Sequence, residues 1–172
     1  PQSGMGHAIT INSTLRMEKM PVDGAYQGYQ CTGTPVDCVK IALDVILDRA
    51  PDLIVSGINH GSNASINVIY SGTMSAALEG YIEGVPSIGF SLMDHSLEAD
   101  FEAAKHYVRE MIALVLSKDK MNFCLNVNIP RLPLEMIKGI RFCRQAHAKW
   151  VEEFDQRQDP SGKDYYWLTG HF

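Results

Sequence analysis

The sequence predicts a three-layer α/β/α fold of the Rossmann-like type, with a mainly parallel sheet and a projecting C-terminal β-hairpin. Strand and helix patterns alternate from Thr34 to Ile129, as in consecutive βαβ units. From Ala148 to Leu168, aromatic and charged residues alternate instead, around a strong turn signal at Asp159–Gly162. We therefore expect residues 1–147 to form an α/β core and residues 148–172 to form a hairpin extension.

Composition narrows the possible functions. The net charge of −5 comes from 15 basic and 20 acidic residues among 172, which argues against binding to nucleic-acid polymers or anionic membranes. No apolar run is long enough to span a bilayer. None of the four cysteines forms a CxxC pair. We expect buried free thiols at Cys38 and Cys124, and hence a cytoplasmic protein.

The first third of the chain predicts two short strands and a helix. The strands are expected at Ile9–Met17 and Tyr26–Cys31, separated by a turn at Pro21–Gly24. Thr34 is suited to cap the helix, because Pro35 occupies its first position and Asp37 completes a capping box. Asp37 is thus interpreted as a structural acid. An apolar stripe follows at Val36, Val39, Leu43 and Ile46.

A short apolar run precedes a polar segment in the middle of the chain. Leu53–Val55 is typical of a strand that is buried on both faces. The segment from Ser56 to Ser65 contains three serines, two asparagines and two glycines as a predicted loop. Ligands of open α/β sheets bind at the carboxyl ends of strands, so this segment is a candidate binding loop.

The next predicted helix begins at a possible anion site. Ser71 is a plausible N-cap for a helix over Met74–Ile82, and Gly72 permits close approach to the backbone. Free N–H groups at a helix N-terminus favour an anion, by roughly 0.3–1 kcal/mol from the helix dipole. Ser87–Leu92 is predicted to be the following strand.

The remaining core elements show no chemistry of their own. Ser96 is a candidate cap for a helix that continues to Val115, and Phe123–Ile129 is predicted to be a strand. Asn126 and Asn128 are expected to alternate outward rather than to face a site. A further strand is expected at Ile137–Arg144.

Several motifs together resemble those of the SurE family. They are SGIN at Ser56–Asn59, GSN at Gly61–Asn63 and YSGT at Tyr70–Thr73 with a following AALEG helix, and upstream QSGMGHAIT at Gln2–Thr10 and GTPVDCV at Gly33–Val39. The resemblance implies a metal-dependent phosphomonoesterase, a 5'-nucleotidase that hydrolyses nucleoside 5'- (and 3'-) monophosphates to nucleoside and phosphate. It also implies a homodimer or homotetramer that uses C-terminal hairpin-like extensions.

The resemblance assigns roles to individual residues. Ser3 and Asn59 are implied as metal ligands, with Mg²⁺ or Mn²⁺ as the cofactor. The implied substrate contacts are Ser3, Gly4, Asn63, Ser71, Gly72 and Thr73, and the implied catalytic residues are Asn59, Ser71 and Thr73. His7 lies nearby and is expected to be structural or exposed rather than a substrate contact.

The residues themselves also favour a metal. The unit Pro51–Leu92 contains no Lys or Arg, and the chain has no P-loop motif. The charge of a phosphomonoester must therefore be neutralised by a cation, and oxygen ligands suit a hard divalent ion.

The family's two metal-binding aspartates precede the position of Pro1, and the hairpin stops at Phe172. We therefore expect the chain to be a fragment that is inactive and poorly stable by itself.

Other classes of protein remain open. A non-catalytic nucleotide-binding α/β domain is the main alternative, although the GxGxxG turn of the Rossmann type is absent. A structural domain with inert polar loops is another. A Ser or Cys hydrolase is disfavoured because the chain lacks a GxSxG elbow.

The aromatic residues expected to lie against a second subunit are Trp150, Phe154, Tyr165, Tyr166 and Trp167.

Overall fold

A computed structural model describes residues 3–24, 26–118, 121–149 and 151–171. Its centre is a sheet of three parallel strands, which we number with the two earlier strands as β3 (Ile54–His60), β4 (Ser87–Leu92) and β5 (Cys124–Ile129). Their order is β3-β4-β5, and every residue of β4 is buried. The predicted parallel sheet is confirmed, and its central strand supplies the largest fully buried side chains of the core, Phe90, Ile88 and Leu92.

Helices cover both faces of the sheet: α1 (Pro35–Ile41), α2 (Gly72–Ile82) and α3 (Glu102–Leu116). Alternate residues of β4 contact different helices. Phe90 clusters with Tyr107 and Met111 of α3, whereas a Cβ at Gly89 would collide with Met74 of α2. The α3 face and the α2 face are therefore the two sides of the α/β/α arrangement, which is as predicted.

Helix α2 runs antiparallel to β4 and very close to it. Near its start, Met74 lies over Gly89, and near its end a Cβ at Gly80 would collide with the side chain of Ser87. The residues that follow Met74, namely Ser75, Ala76 and Ala77, are small and buried. The N-terminus of α2 is therefore placed toward the carboxyl ends of the strands.

The predicted helix over the GTPVDCV motif has the expected cap. Thr34 Oγ1 accepts from the Asp37 N–H at 3.2 Å, and Asp37 Oδ2 accepts from the Thr34 N–H at 2.8 Å. Both residues are buried. The capping box is confirmed, and a π-helical turn at Ala42–Ile46 continues α1.

The N-terminal strands are shorter than expected. β1 (Met17–Met20) and β2 (Gly28–Cys31) pair as an antiparallel ribbon. The strand expected at Ile9–Met17 is wrong except at its last residue. Thr10 directs its N–H and its hydroxyl to Asp37, at 3.0 and 2.6 Å, instead of to a neighbouring strand.

Three further expectations fail. Helix α3 begins at Glu102 with Phe101 as its N-cap, because the Ser96 hydroxyl instead accepts from Glu98 N–H in a preceding turn. Ile137–Arg144 forms no strand, since these described residues have no ladder partner. Cys38 is exposed rather than buried. Cys124 is half-buried, and burial raises the pKa of its thiol.

The C-terminal hairpin is confirmed. β6 (Val151–Gln158) and β7 (Asp164–His171) pair antiparallel around a turn in which Asp159 Oδ1 accepts from Ser161 N–H at 2.8 Å. Its apolar side chains are largely exposed, and Phe154 is 64% accessible. Trp150 lies outside the described residues. Of the helices in the described ranges, none has the length and hydrophobicity needed to traverse a bilayer.

Candidate active site

A bulge in β3 aims Asn59 at the α2 face of the sheet. Ser56 pairs with Gly89 of β4, but the next paired residues are Asn59 and Ser91. β3 thus contains one residue more than β4 in this interval, and side chains after the insertion exchange faces. Gly57 permits the bulge, because its φ of +113° suits glycine and a Cβ there would collide with Phe90 O.

The bulge corrects the predicted loop and completes a polar row. Ser56 to His60 belongs to β3, and Val55 is 44% exposed on this edge strand rather than buried on both faces. Ser91 also pairs with Asn128 of β5. Asn59, Ser91 and Asn128 therefore lie side by side across the carboxyl end of the sheet, on the α2 face.

The loop from Gly61 to Asn63 rests on this row. Asn128 Oδ1 accepts from Asn63 N–H at 2.8 Å and from the Ser62 hydroxyl at 3.3 Å. Asn126 Nδ2 donates to Asn63 O at 2.8 Å. The expectation that Asn126 and Asn128 point away from the site is wrong. They pair with Gly89 and Ser91, which lie on the α2 face.

The predicted substrate residue Asn63 is held inside the protein. Its Nδ2 donates to Ser91 Oγ at 2.6 Å, and the residue is 4% exposed. Its side chain therefore fixes the loop to β4.

Asn59 presents an amide oxygen that accepts no hydrogen bond within the described part of the chain. Its Nδ2 donates to Gly61 O at 2.9 Å and to His60 O at 3.1 Å, and it lies 3.5 Å from Asn63 Oδ1. These three acceptors identify which end of the carboxamide is nitrogen. Its Oδ1 accepts from no residue that the structure describes, and Asn59 is half-exposed. This oxygen is available to a ligand.

The N-terminus of α2 lies on the same face. Ser71 Oγ accepts from the Met74 N–H at 3.1 Å, so the predicted N-cap is confirmed. Thr73 is half-buried, its methyl carbon lies over Gly89, and its hydroxyl has no partner within the described ranges. Gly72 is buried between them. Two backbone N–H groups and one free hydroxyl thus occur in the first turn.

The segment that contains Ser3 and Gly4 lies against the entry to α2. Ser3–Met5 forms a 3₁₀ turn, and Gly4 is exposed. A Cβ at Gly6 would come within 3.0 Å of Ile69 O, just before Tyr70 and Ser71. The structure therefore brings the predicted Ser3–Gly4 and Ser71–Thr73 segments to the same end of α2.

A buried carboxylate fixes this arrangement. Glu79 of α2 is 5% exposed in its side chain and lies 2.7 Å from His7 Nε2 through Oε2, while its Oε1 contacts Lys40 of α1. Burial alone raises the pKa of Glu79, but the hydrogen bonds from Lys40 and His7 outweigh it and hold the pKa below its ordinary value. His7 thus binds a structural acid.

Three further charged or titratable groups lie at this edge and were not predicted from the sequence. Asp94 follows β4, is buried, and lies 3.1 Å from Arg131 Nε just after β5. The His95 ring packs on Gly61, where a Cβ would collide with it. Each lies within three residues of a predicted strand end, which is the sequence signal that could have found them, but all three lie outside the unit Pro51–Leu92.

Comparison with known proteins gives concordant matches. The family model described as Survival protein SurE matches residues 1–152. Proteins named 5'-nucleotidase SurE from Christiangramia forsetii and Flavobacterium johnsoniae are 59% and 60% identical over 175 aligned residues. In both cases the match covers 100% of this chain and 67% of the relative.

A solved structure is similar over the same range. The structure described as the crystal structure of the Sure protein from Aquifex aeolicus matches with a TM-score of 0.82 and 39% identity. The match covers 99% of this chain and 68% of that one. The chain thus spans about two thirds of the length of the relatives that it matches.

Proposed function

Because this chain belongs to the survival protein SurE family, we propose that it is a 5'-nucleotidase. It hydrolyses nucleoside 5'-monophosphates, and 3'-monophosphates, to the nucleoside and phosphate. The names of relatives with about 60% identity support the reaction. The observation that carries the proposal here is the convergence of Asn59 Oδ1 and the N-terminus of α2 on one face of the sheet's carboxyl edge.

The first turn of α2 is suited to bind the phosphoryl group. The N–H groups of Gly72 and Thr73 have no intrahelical acceptor, and the Thr73 hydroxyl has no described partner. Ser71 Oγ accepts from Met74 N–H, which leaves its own proton free to donate. Gly72 has no side chain that would obstruct a ligand. These donors can hold the oxygens of a phosphate dianion and keep its phosphorus in a fixed orientation.

A divalent cation, Mg²⁺ or Mn²⁺, fits part of this donor set. Asn59 Oδ1 is a neutral oxygen to which no described residue donates, and hard cations prefer oxygen ligands. Ser3 is the second proposed ligand, on the basis of family resemblance. No three His, Cys, Asp or Glu side chains converge in the part of the chain described, so these two residues are a partial set. When bound, the ion polarises the phosphoryl group and activates a water.

The loop residues are proposed to support the site rather than to react. Asn63 binds Ser91 and the backbone around it binds β5, so its contribution to substrate binding is to fix the loop. Gly4 lies in the exposed Ser3–Met5 turn and, having no side chain, permits the backbone to approach a substrate.

Assembly and location are part of the proposal. The exposed apolar side chains of the hairpin support a homodimer or homotetramer. All four cysteines are free, which supports the cytoplasm as the compartment.

The test is phosphate release from AMP by the intact protein, with Mn²⁺ or Mg²⁺ and with a chelator. We expect release that depends on the added metal. Binding of AMP without release would instead indicate a non-catalytic nucleotide-binding domain. Neither binding nor release would indicate a structural domain.

A further inference from the structure

We infer that Asn128 and Asn126 of β5 are positioning residues that hold the Gly61–Asn63 loop and thereby set the direction of the Asn59 amide oxygen. This inference rests on the proposed function, because it concerns the residue proposed to bind the cation. Neither asparagine is proposed to touch the metal or the substrate.

The two asparagines bind both hydrogen-bonding groups of one loop residue. Asn128 Oδ1 accepts the Asn63 N–H at 2.8 Å, and Asn126 Nδ2 donates to Asn63 O at 2.8 Å. Asn128 Nδ2 also donates to Asn126 Oδ1 at 3.1 Å. The two asparagines therefore satisfy the backbone N–H and C=O of Asn63, as a neighbouring strand would. Both belong to β5 of the central sheet.

The same loop then holds the amide of Asn59. Gly61 O and Asn63 Oδ1 both accept from Asn59 Nδ2, as does His60 O at the end of β3. If this amide turned over, its oxygen would face these three oxygens and the hydrogen bonds would be lost. The loop supplies two of the three acceptors, so its position helps to determine that Oδ1, rather than the NH₂ group, is presented to the ligand.

The positioning is needed because Asn59 follows an irregularity. The ladder between β3 and β4 shifts by one residue between Ser56 and Asn59. Gly61, with a φ of +92°, turns the chain out of the strand immediately afterwards. The hydrogen bonds from Asn126 and Asn128 reach the loop from β5, on the other side of β4 from β3, and hold the loop in place. Partners of this kind, which orient a metal ligand, typically change metal affinity by 10–100-fold when removed.

The test is a Mn²⁺ titration of the intact protein, followed by the EPR signal of free Mn²⁺. We expect Asn128→Ala to weaken binding by about tenfold or more. The matched control is Asn122→Ala, which removes one side-chain hydrogen bond, to Tyr81 O at 3.3 Å, two residues before the opposite end of β5. The control variant is expected to bind Mn²⁺ like the wild type.

A second variant and a second readout separate positioning from a general loss of structure. Asn126 is exposed, so Asn126→Ala is expected to fold and to weaken Mn²⁺ binding in the same direction, and it carries the test if Asn128→Ala does not fold. In both variants, excess Mn²⁺ should restore kcat for AMP to within about threefold of wild type, since Asn59 itself is retained.

The outcomes are distinct. Mn²⁺ affinities of both variants equal to that of Asn122→Ala would overturn the positioning role while leaving the nucleotidase proposal intact. Failure of the wild-type protein to bind Mn²⁺ or to release phosphate would overturn the proposed function and this inference with it.

Discussion

Asn59 shows that the register of one residue in a strand determines the face of the sheet at which its side chain lies. Without the extra residue in β3, Asn59 would pair with Leu92 of β4 and point toward α3, away from the helix N-terminus. The SGIN motif predicted Asn59 as a site residue. The motif could not predict the direction of its side chain, because a bulge depends on pairing with a strand some thirty residues later in the chain.

The first prediction concerns Asn59 as a cation ligand. We expect Asn59→Ala to weaken Mn²⁺ binding to the intact protein by at least tenfold, because it removes an oxygen to which no residue in the described ranges donates. Calorimetric titration measures it, with Asn122→Ala as the control because that asparagine lies far from the proposed site. An affinity equal to that of the control would exclude Asn59 as a ligand.

Ser71 and Thr73 differ in what else they do. The Ser71 hydroxyl caps α2 by accepting from Met74 N–H, so Ser71→Ala removes a cap worth about 1 kcal/mol as well as a phosphate donor. The Thr73 hydroxyl has no such partner among the described residues. Loss of activity is therefore interpretable at Thr73, whereas at Ser71 it mixes chemistry with folding.

At the level of elements, the sequence predicted correctly the helix caps and the turn, whose hydrogen bonds join residues that are close together in the chain. The capping box of α1 is formed entirely by the segment with Thr34, Pro35 and Asp37, and the cap of α2 is formed by Ser71. The turn at Asp159 likewise binds its own neighbours. Such elements follow from residues within three or four positions of one another, so a sequence is sufficient to find them.

Elements that depend on distant partners were predicted poorly. Ile137–Arg144 has apolar residues but no strand beside it, and the segment after it is held by Ser65, whose Oγ accepts from Ala148 N–H at 2.8 Å. Asn126 and Asn128 share one face of β5, as their spacing of two requires, but their register with β4 makes it the α2 face rather than the outward face that was expected. Pairing partners cannot be deduced from periodicity alone.

The second prediction concerns the carboxylate that joins α2, α1 and the N-terminal segment. We expect Glu79→Gln to lower the free energy of unfolding at pH 7 by about 1–3 kcal/mol, because charge-assisted hydrogen bonds to His7 and Lys40 are weakened. Urea denaturation of the intact protein measures it. Glu83→Gln is the control, since this exposed glutamate also pairs with Lys40, at 3.2 Å.

The pH dependence of that effect has a defined sign. The folded-state pKa of Glu79 lies below its ordinary value of 4.5. Its stabilisation is therefore present above about pH 4.5 and is lost as the pH falls through the folded-state pKa. The difference between wild type and Glu79→Gln should shrink in this acid range. A difference that is constant from pH 7 to pH 3, or that is equalled by Glu83→Gln, would contradict the account.

For the whole molecule, the hairpin is the main unexplained surface. Phe154 and Leu168 are cross-strand partners, and Tyr166 lies on the same face of the hairpin. Their exposures are 64%, 61% and 57%. A two-stranded hairpin has no core of its own in which to bury such a face. A second copy of the chain is the proposed cover.

The third prediction follows from this face. We expect the intact protein to sediment as a homo-oligomer at micromolar concentration, and Phe154→Ser combined with Leu168→Ser to dissociate it. Gln156→Ser, on the same face and opposite Tyr166, is the matched polar control. Analytical ultracentrifugation gives the answer. A wild-type monomer, or an unchanged oligomer in the double variant, would show that the hairpin has another use.

The central claim is that a phosphomonoester is hydrolysed at the N-terminus of α2, and kcat/KM for AMP in the Thr73→Val variant of the intact protein tests it most directly. Loss of one charge-assisted hydrogen bond costs roughly 1.5–3 kcal/mol, so we predict a value about tenfold to hundredfold below wild type at saturating Mn²⁺. Thr73→Ser, which keeps the hydroxyl, and Thr14→Val, at an exposed position, should stay near wild type. Activity of Thr73→Val within about twofold of wild type would contradict the claim.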